Sequence, residues 1–198
     1  MVEIRKNVEV FIFSNRRCGT HILVSHIKRK HKLHAGMEHQ FPLQFNDHAK
    51  SNNIPLIIAT RTDLWQHCLS VCYAEATSSY ALHSTKNTIP WEPRPIEMDV
   101  SRFLDIYCGI QQRFLKDLEN ITVPYQFVTY EDLLVLENNN ILQHGYLQTP
   151  VPYVTLVTNA QKLYNAFRYK KTLKDELNSA FIKLRQNSAN FFPELTIS

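Results

Sequence analysis

Six consecutive residues, Arg16, Arg17, Cys18, Gly19, Thr20 and His21, place two guanidinium groups, a thiol, a glycine, a hydroxyl and an imidazole directly after the apolar run Val10-Phe11-Ile12-Phe13-Ser14. A strand that turns straight into a helix aims unpaired backbone N–H groups and the positive helix end at one point. Such a point favours an anion before any side chain is counted. Arg17 and the Thr20 hydroxyl stand where they add charge and a hydrogen bond. The Walker pattern is absent and no lysine takes the γ-phosphate position, which disfavours a nucleoside-triphosphate kinase.

Two further stretches carry chemistry. Ile57-Ile58-Ala59-Thr60 ends on Arg61, and Ser70 follows nine positions later on a helical pattern. Leu33-His34-Ala35-Gly36-Met37-Glu38-His39-Gln40-Phe41 carries imidazoles in His39 and His34, tuned for proton transfer near neutral pH, beside the carboxylate of Glu38.

The elements that must position these groups read as alternating strands and helices. Residues 8–14, 54–60 and 125–130 form apolar runs with β-branched and aromatic residues, as in a buried parallel sheet. Helices are expected over 19–30, 63–79 (capped by Asp63), 99–120, 159–168 and 171–186, with a further short helix opening at Glu131-Asp132. Residues 31–50 read as irregular with a short strand near Leu33, 149–158 as loop or weak strand, and the end of the chain as a frayed polar tail. Pro90, Pro93 and Pro95 exclude regular structure from 80–98, leaving a long lid or acceptor-side loop. This pattern predicts an α/β fold, a three-layer sandwich with a mostly parallel central sheet. Ligands in such folds bind at the carboxyl ends of the strands, which puts Ser14–Thr20, Arg61 and Tyr130 on one edge.

Arg17-Cys18-Gly19-Thr20 after a strand resembles the 5′-phosphosulfate loop of the sulfotransferases, usually Pro-Arg-Ser-Gly-Thr-Thr. Arg16 replaces the proline, Cys18 the serine and His21 the second threonine. Arg61 and Ser70 resemble the arginine and serine with which that family grips the 3′-phosphate of its donor. The match is closest to the branch related to trehalose sulfotransferases, whose Gly-x-Pro-Glu-Glu-Tyr-Phe segment places its glutamate base at Glu38. Val128-Thr129-Tyr130-Glu131-Asp132-Leu133-Leu134 resembles the family's Tyr-Glu-Asp-Leu segment, and Trp91 a tryptophan of the acceptor-side loop.

The resemblance covers scattered motifs over 8–135 and implies a P-loop-like sulfotransferase domain spanning 1–198, with C-terminal helices over 159–186. It implies 3′-phosphoadenosine 5′-phosphosulfate as donor co-substrate, without metal. Arg16, Arg17, Cys18, Gly19, Thr20, His21, Arg61 and Ser70 would hold the donor, and Arg17 with Glu38 or His39 would act in transfer. A catalytically inactive, nucleotide- or protein-binding relative is the alternative.

Composition bounds the partners. The 198 residues are 44% hydrophobic and 20% charged, with a net charge of +4, ordinary for a soluble domain. The only dense basic run, Lys28-Arg29-Lys30-His31-Lys32, reads as a solvated helix end, so nucleic acid is not an expected partner. The apolar run at 8–13 is too short for a signal core or a membrane span. Cys18, Cys68, Cys72 and Cys108 show no disulfide or metal spacing, and the nine histidines contain no His-x₃-His pair beside a carboxylate ligand set. The expectation is a cytoplasmic protein acting on a carbohydrate or small-molecule acceptor, with a homodimer left open.

Overall fold

A computed structural model of the chain describes residues 7–77, 94–139, 141–142 and 153–197. Trp91, Pro90, Pro93 and most of the expected 80–98 loop lie outside these, as do residues 149–152.

The described elements run β1 (Val10–Ser14), α1 (Thr20–Lys30), β2 (Ala35–Glu38), α2 (Phe45–Asn52), β3 (Leu56–Thr60), α3 (Leu64–Thr77), α4 (Val100–Glu119), β4 (Tyr125–Thr129), α5 (Tyr130–Asn138), α6 (Tyr153–Leu156), α7 (Ala160–Arg168) and α8 (Lys171–Gln186). The four strands pair entirely in parallel, in the order β2-β1-β3-β4. Every residue of β1 and β3 is buried because helices cover both faces, so these strands read as unbroken apolar runs. Successive side chains alternate between two hydrophobic layers. Val10, Ile12 and Ile57 face Leu23 and Ile27 of α1 and Leu133 of α5. Phe11, Phe13 and Ile58 face Phe45, Phe103, Phe114 and Phe181 on the opposite side. The result is a three-layer α/β sandwich, as the alternation of elements predicts.

The expected cap at Asp63 is present, and the structure adds two more. Asp63 Oδ1 accepts from Gln66 N–H at 3.0 Å, and Asp99 Oδ1 from Arg102 N–H at 2.8 Å. Thr129 and Asp132 form a reciprocal capping box at the start of α5.

Three expectations are corrected. Residues 31–50 are not irregular: the strand expected near Leu33 spans Ala35–Glu38, and Phe45–Asn52 is a helix. That helix buries only Phe45 and Ala49, too few apolar residues to show a periodic signal, and it is fixed by Phe45 stacking on Phe11 at 4.2 Å between centroids. Among the described residues of 149–158, Tyr153–Leu156 is a helical turn, and extended pairing is limited to a bridge between Val157 and Ile96. The tail is packed rather than frayed. Phe192 precedes the 3₁₀ turn Pro193–Leu195 and Leu195 closes it, both are buried, and the Gln126 side-chain amide pairs with the Phe192 backbone N–H (2.8 Å) and C=O (2.9 Å). A polar-looking segment thus owes its order to two anchors and one buried amide.

The chain leaves β1 toward β2 on one side, then crosses to β3 and β4 on the other. The carboxyl ends of β1 and β3 therefore bound a topological switch point, where an open parallel sheet leaves a crevice.

Candidate functional site

The loop from Asn15 to Gly19 crosses that switch point. Arg17 and Gly19 both adopt left-handed conformations, with φ of 61° and 74°. For Arg17 this costs about 1–2 kcal/mol relative to right-handed backbone. For Gly19 it costs little, but a Cβ there would lie 2.9 Å from Leu133 Cδ1 and 3.1 Å from Tyr130 Cδ2. Helix α1 begins with no side-chain cap and no acidic residue in its first turn. No described residue accepts a hydrogen bond from the backbone N–H groups of Cys18, Gly19, Thr20 or His21. Left-handed residues next to an uncapped helix start gather such groups into an anion-binding concavity.

Buried polar side chains hold the loop from beneath. Asn15 Nδ2 donates to Gln111 Oε1 at 2.7 Å, Gln111 Nε2 lies 3.2 Å from His67 Nδ1, and His67 Nε2 lies 2.6 Å from the Arg16 carbonyl. A carbonyl only accepts, so Nε2 carries the proton and Nδ1 accepts from the Gln111 amide. Burial, with the Arg61 charge second, pushes the His67 pKa down to about 3, so the ring is neutral. The Cys18 thiol donates to the Arg16 carbonyl at 3.2 Å, and burial drives its pKa far above the ordinary thiol range. Cys18 is thus an inert support.

Two arginines, Arg17 and Arg61, act on Tyr130 at this edge. Arg17 Nε donates to Ser70 Oγ at 3.2 Å, and Arg17 Nη2 donates to Tyr153 Oη at 2.7 Å. The Arg61 guanidinium lies 4.3 Å from the centroid of Tyr130, within cation–π range. Its Nε is buried without a hydrogen-bond partner among the described residues, since Glu131 Oε1 stands 3.9 Å away. The Glu131 carboxylate is engaged elsewhere, accepting from the N–H groups of Thr62 (2.9 Å) and Asp63 (3.1 Å) ahead of α3. Both arginines bear on Tyr130, whose hydroxyl pKa is raised by burial and pulled back by Arg61 and then Arg17.

A histidine stands at the end of β1. His39 Nδ1 lies 3.1 Å from the Ser14 carbonyl and 2.9 Å from Ser14 Oγ, which also accepts from Thr20 Oγ1 at 3.2 Å. The carbonyl again fixes the tautomer: Nδ1 carries the proton and Nε2 keeps its lone pair. Desolvation lowers the His39 pKa and the Arg16 charge adds to this, against the opposing pull of the Ser14 carbonyl and Glu38.

The sequence-predicted residues divide accordingly. Arg17, Gly19, Arg61 and Ser70 converge at the switch point. Ser70, however, is 2% exposed and bonded to Arg17. It positions the loop arginine instead of standing apart from it in a second phosphate pocket. The Thr20 hydroxyl is turned inward to Ser14, so Thr20 and Cys18 offer the loop only their backbone. Arg16 is paired with Glu75 at 2.6 Å. His21 lies on the first turn of α1, its pKa lowered by burial and then by Arg17. Glu38 closes edge strand β2 opposite Phe13, next in sequence to His39.

Tyr153, His67 and Gln111 were missed. Tyr153 reaches Arg17 from 136 positions away, with no signal in the sequence. Gln111 and His67 do leave a trace, as polar residues on the apolar stripes of α4 and α3.

Fold and site together define a three-layer α/β protein with Arg17, Arg61 and an uncapped helix start at its switch point. Comparison with protein-family models, with curated proteins and with solved structures finds no match.

Proposed function

We propose that the chain binds 3′-phosphoadenosine 5′-phosphosulfate and transfers its sulfuryl group to a hydroxyl of a carbohydrate or small metabolite. One observation carries this reading: the uncapped loop at the switch point presents Arg17, locked by Ser70 and Tyr153, and Arg61, which acts on the same Tyr130, keeps a spare Nε donor. A buried, unsatisfied guanidinium nitrogen calls for an acceptor, and a phosphate ester supplies one.

In transfer, the acceptor oxygen forms a bond to sulfur as the bond from sulfur to the bridging phosphate oxygen breaks, and that oxygen takes the electron pair. The loop N–H groups and Arg17 stabilise the charge building there. The acceptor proton goes to His39 Nε2. His39 serves as base in preference to Glu38 because Ser14 fixes its tautomer and its surroundings keep it neutral. The products are a sulfate ester and adenosine 3′,5′-bisphosphate.

A second reading, nucleotide binding without transfer, draws support from the inward-turned Thr20 and Cys18 side chains, which leave the loop without hydroxyl donors. Thermal shift tests binding: adenosine 3′,5′-bisphosphate should raise Tm more than ATP with Mg²⁺. Donor-dependent sulfation of a panel of hydroxyl compounds then separates the readings. A larger response to ATP would refute both.

A further inference from the structure

The carboxyl-terminal end of α1 carries a second cluster, remote from the loop. His26 Nε2 lies 3.2 Å and His31 Nε2 2.5 Å from one oxygen, Glu194 Oε1, and the three ligand atoms all fall within 4.8 Å of one another. At the helical rise, His31 is about 16 Å along the axis from Thr20, so this is not the anion crevice.

Each member is held from behind. His26 is 3% exposed on α1. His31 caps that helix, its N–H bonded to the Ile27 carbonyl and its ring edge-on to Phe192 at 4.9 Å between centroids. Glu194 lies in the turn between the buried anchors Phe192 and Leu195, pinned by Gln126. The basic run read as a solvated helix end is therefore partly engaged. Lys30 Nζ stands 3.5 Å from Glu194 Oε1, and Arg29 donates to the Leu142 carbonyl at 2.7 Å.

We propose that His26, His31 and Glu194 form a binding site for a divalent transition metal of the zinc class, through the two Nε2 atoms and the carboxylate, with water in the fourth position. Two imidazoles and a carboxylate are a zinc-type donor set, and tetrahedral bonds of ~2.0–2.1 Å separate the ligand atoms by about 3.3 Å. The His26–Glu194 separation already has this value, and the His31–Glu194 pair must open by less than about 1 Å. Without metal, each Nε2–H donates to the carboxylate. On binding, each Nε2 turns its lone pair to the metal, and Nδ1 is the nitrogen that carries the ring proton. The site clips the end of the chain onto α1.

The competing cation is Lys30, whose side chain is 49% exposed and able to swing into water. This separates a metal site from a simple hydrogen-bonded latch. Removing the Lys30 charge helps a metal but weakens a latch.

The test titrates Zn²⁺ into chelator-stripped full-length protein, with circular dichroism confirming that each metal-free variant is folded. Wild type should take up one Zn²⁺ per chain with a rise in Tm. His31→Ala and Glu194→Gln should each weaken uptake roughly tenfold or more, while Lys30→Gln binds at least as tightly as wild type. If His31→Ala fails to fold, His31→Gln takes its place with the same expected loss. Co²⁺ should give a tetrahedral absorption band without thiolate charge transfer, which separates the site from the cysteines. No uptake by wild type, uptake unchanged in both ligand variants, or uptake weakened by Lys30→Gln would overturn the proposal.

Discussion

Arg17 Nε donates to Ser70 Oγ at 3.2 Å, tying the loop after β1 to the middle of α3. The bond joins two groups that the sequence motifs assign to separate phosphates, and it makes Ser70 a positioning residue for Arg17. Ser70→Ala should weaken adenosine 3′,5′-bisphosphate binding by about 1.5–3 kcal/mol, the range of a hydrogen bond to a charged group. Arg17→Ala should weaken it at least as much. Isothermal titration reads both, and full affinity in Ser70→Ala would show that Arg17 is held without it.

The left-handed backbone at Arg17 has its own signature. Comparing Arg17→Gly with Arg17→Ala removes the same side chain but leaves strain only in the alanine. The glycine variant should be the more stable by about 1 kcal/mol, measured by urea denaturation.

Gly19→Ala meets both obstacles at once, a φ of 74° and a Cβ 2.9 Å from Leu133. A loss of about 1–3 kcal/mol is expected, together with loss of the nucleotide-induced rise in Tm, because the loop must move to admit the methyl group. Differential scanning fluorimetry with and without nucleotide measures the two effects.

His67 sets a pH dependence of stability. Its folded pKa of about 3 lies below the unfolded value of 6.5, so the unfolded chain binds the extra proton as pH falls. The contribution is fully present above 6.5 and is lost progressively from there toward 3. Between pH 6 and 5 this one ring adds up to about 1.4 kcal/mol per pH unit to the slope. His67→Gln should flatten the curve of unfolding free energy against pH in that window. An unchanged slope would mean that the ring is not buried and neutral.

If sulfuryl transfer occurs, His39→Ala should lower kcat by roughly 10²–10⁴ while nucleotide binding persists, and Glu38→Gln should leave the rate close to wild type. The opposite ranking would return the base to the glutamate.

The sequence by itself determined the alternating strands and helices, the cap at Asp63, and the strand-loop-helix over Val10–Lys30, because these are local: a few adjacent residues carry each signal. It also placed Ser14–Thr20, Arg61 and Tyr130 on one edge through the rule that parallel strands present their carboxyl ends together. Only the tertiary structure decided the pairing of Arg17 with Ser70 and Tyr153, the burial of Thr20 and Cys18, and the neutral His67 under the loop. It also decided the helix at Phe45–Asn52 and the docking of Glu194 against His26 and His31. Among them, the contacts of Arg17 with Ser70 and Tyr153 and of Glu194 with His26 and His31 span 53 to 168 positions. Such contacts are set by packing against a shared sheet, and local propensity holds no record of them.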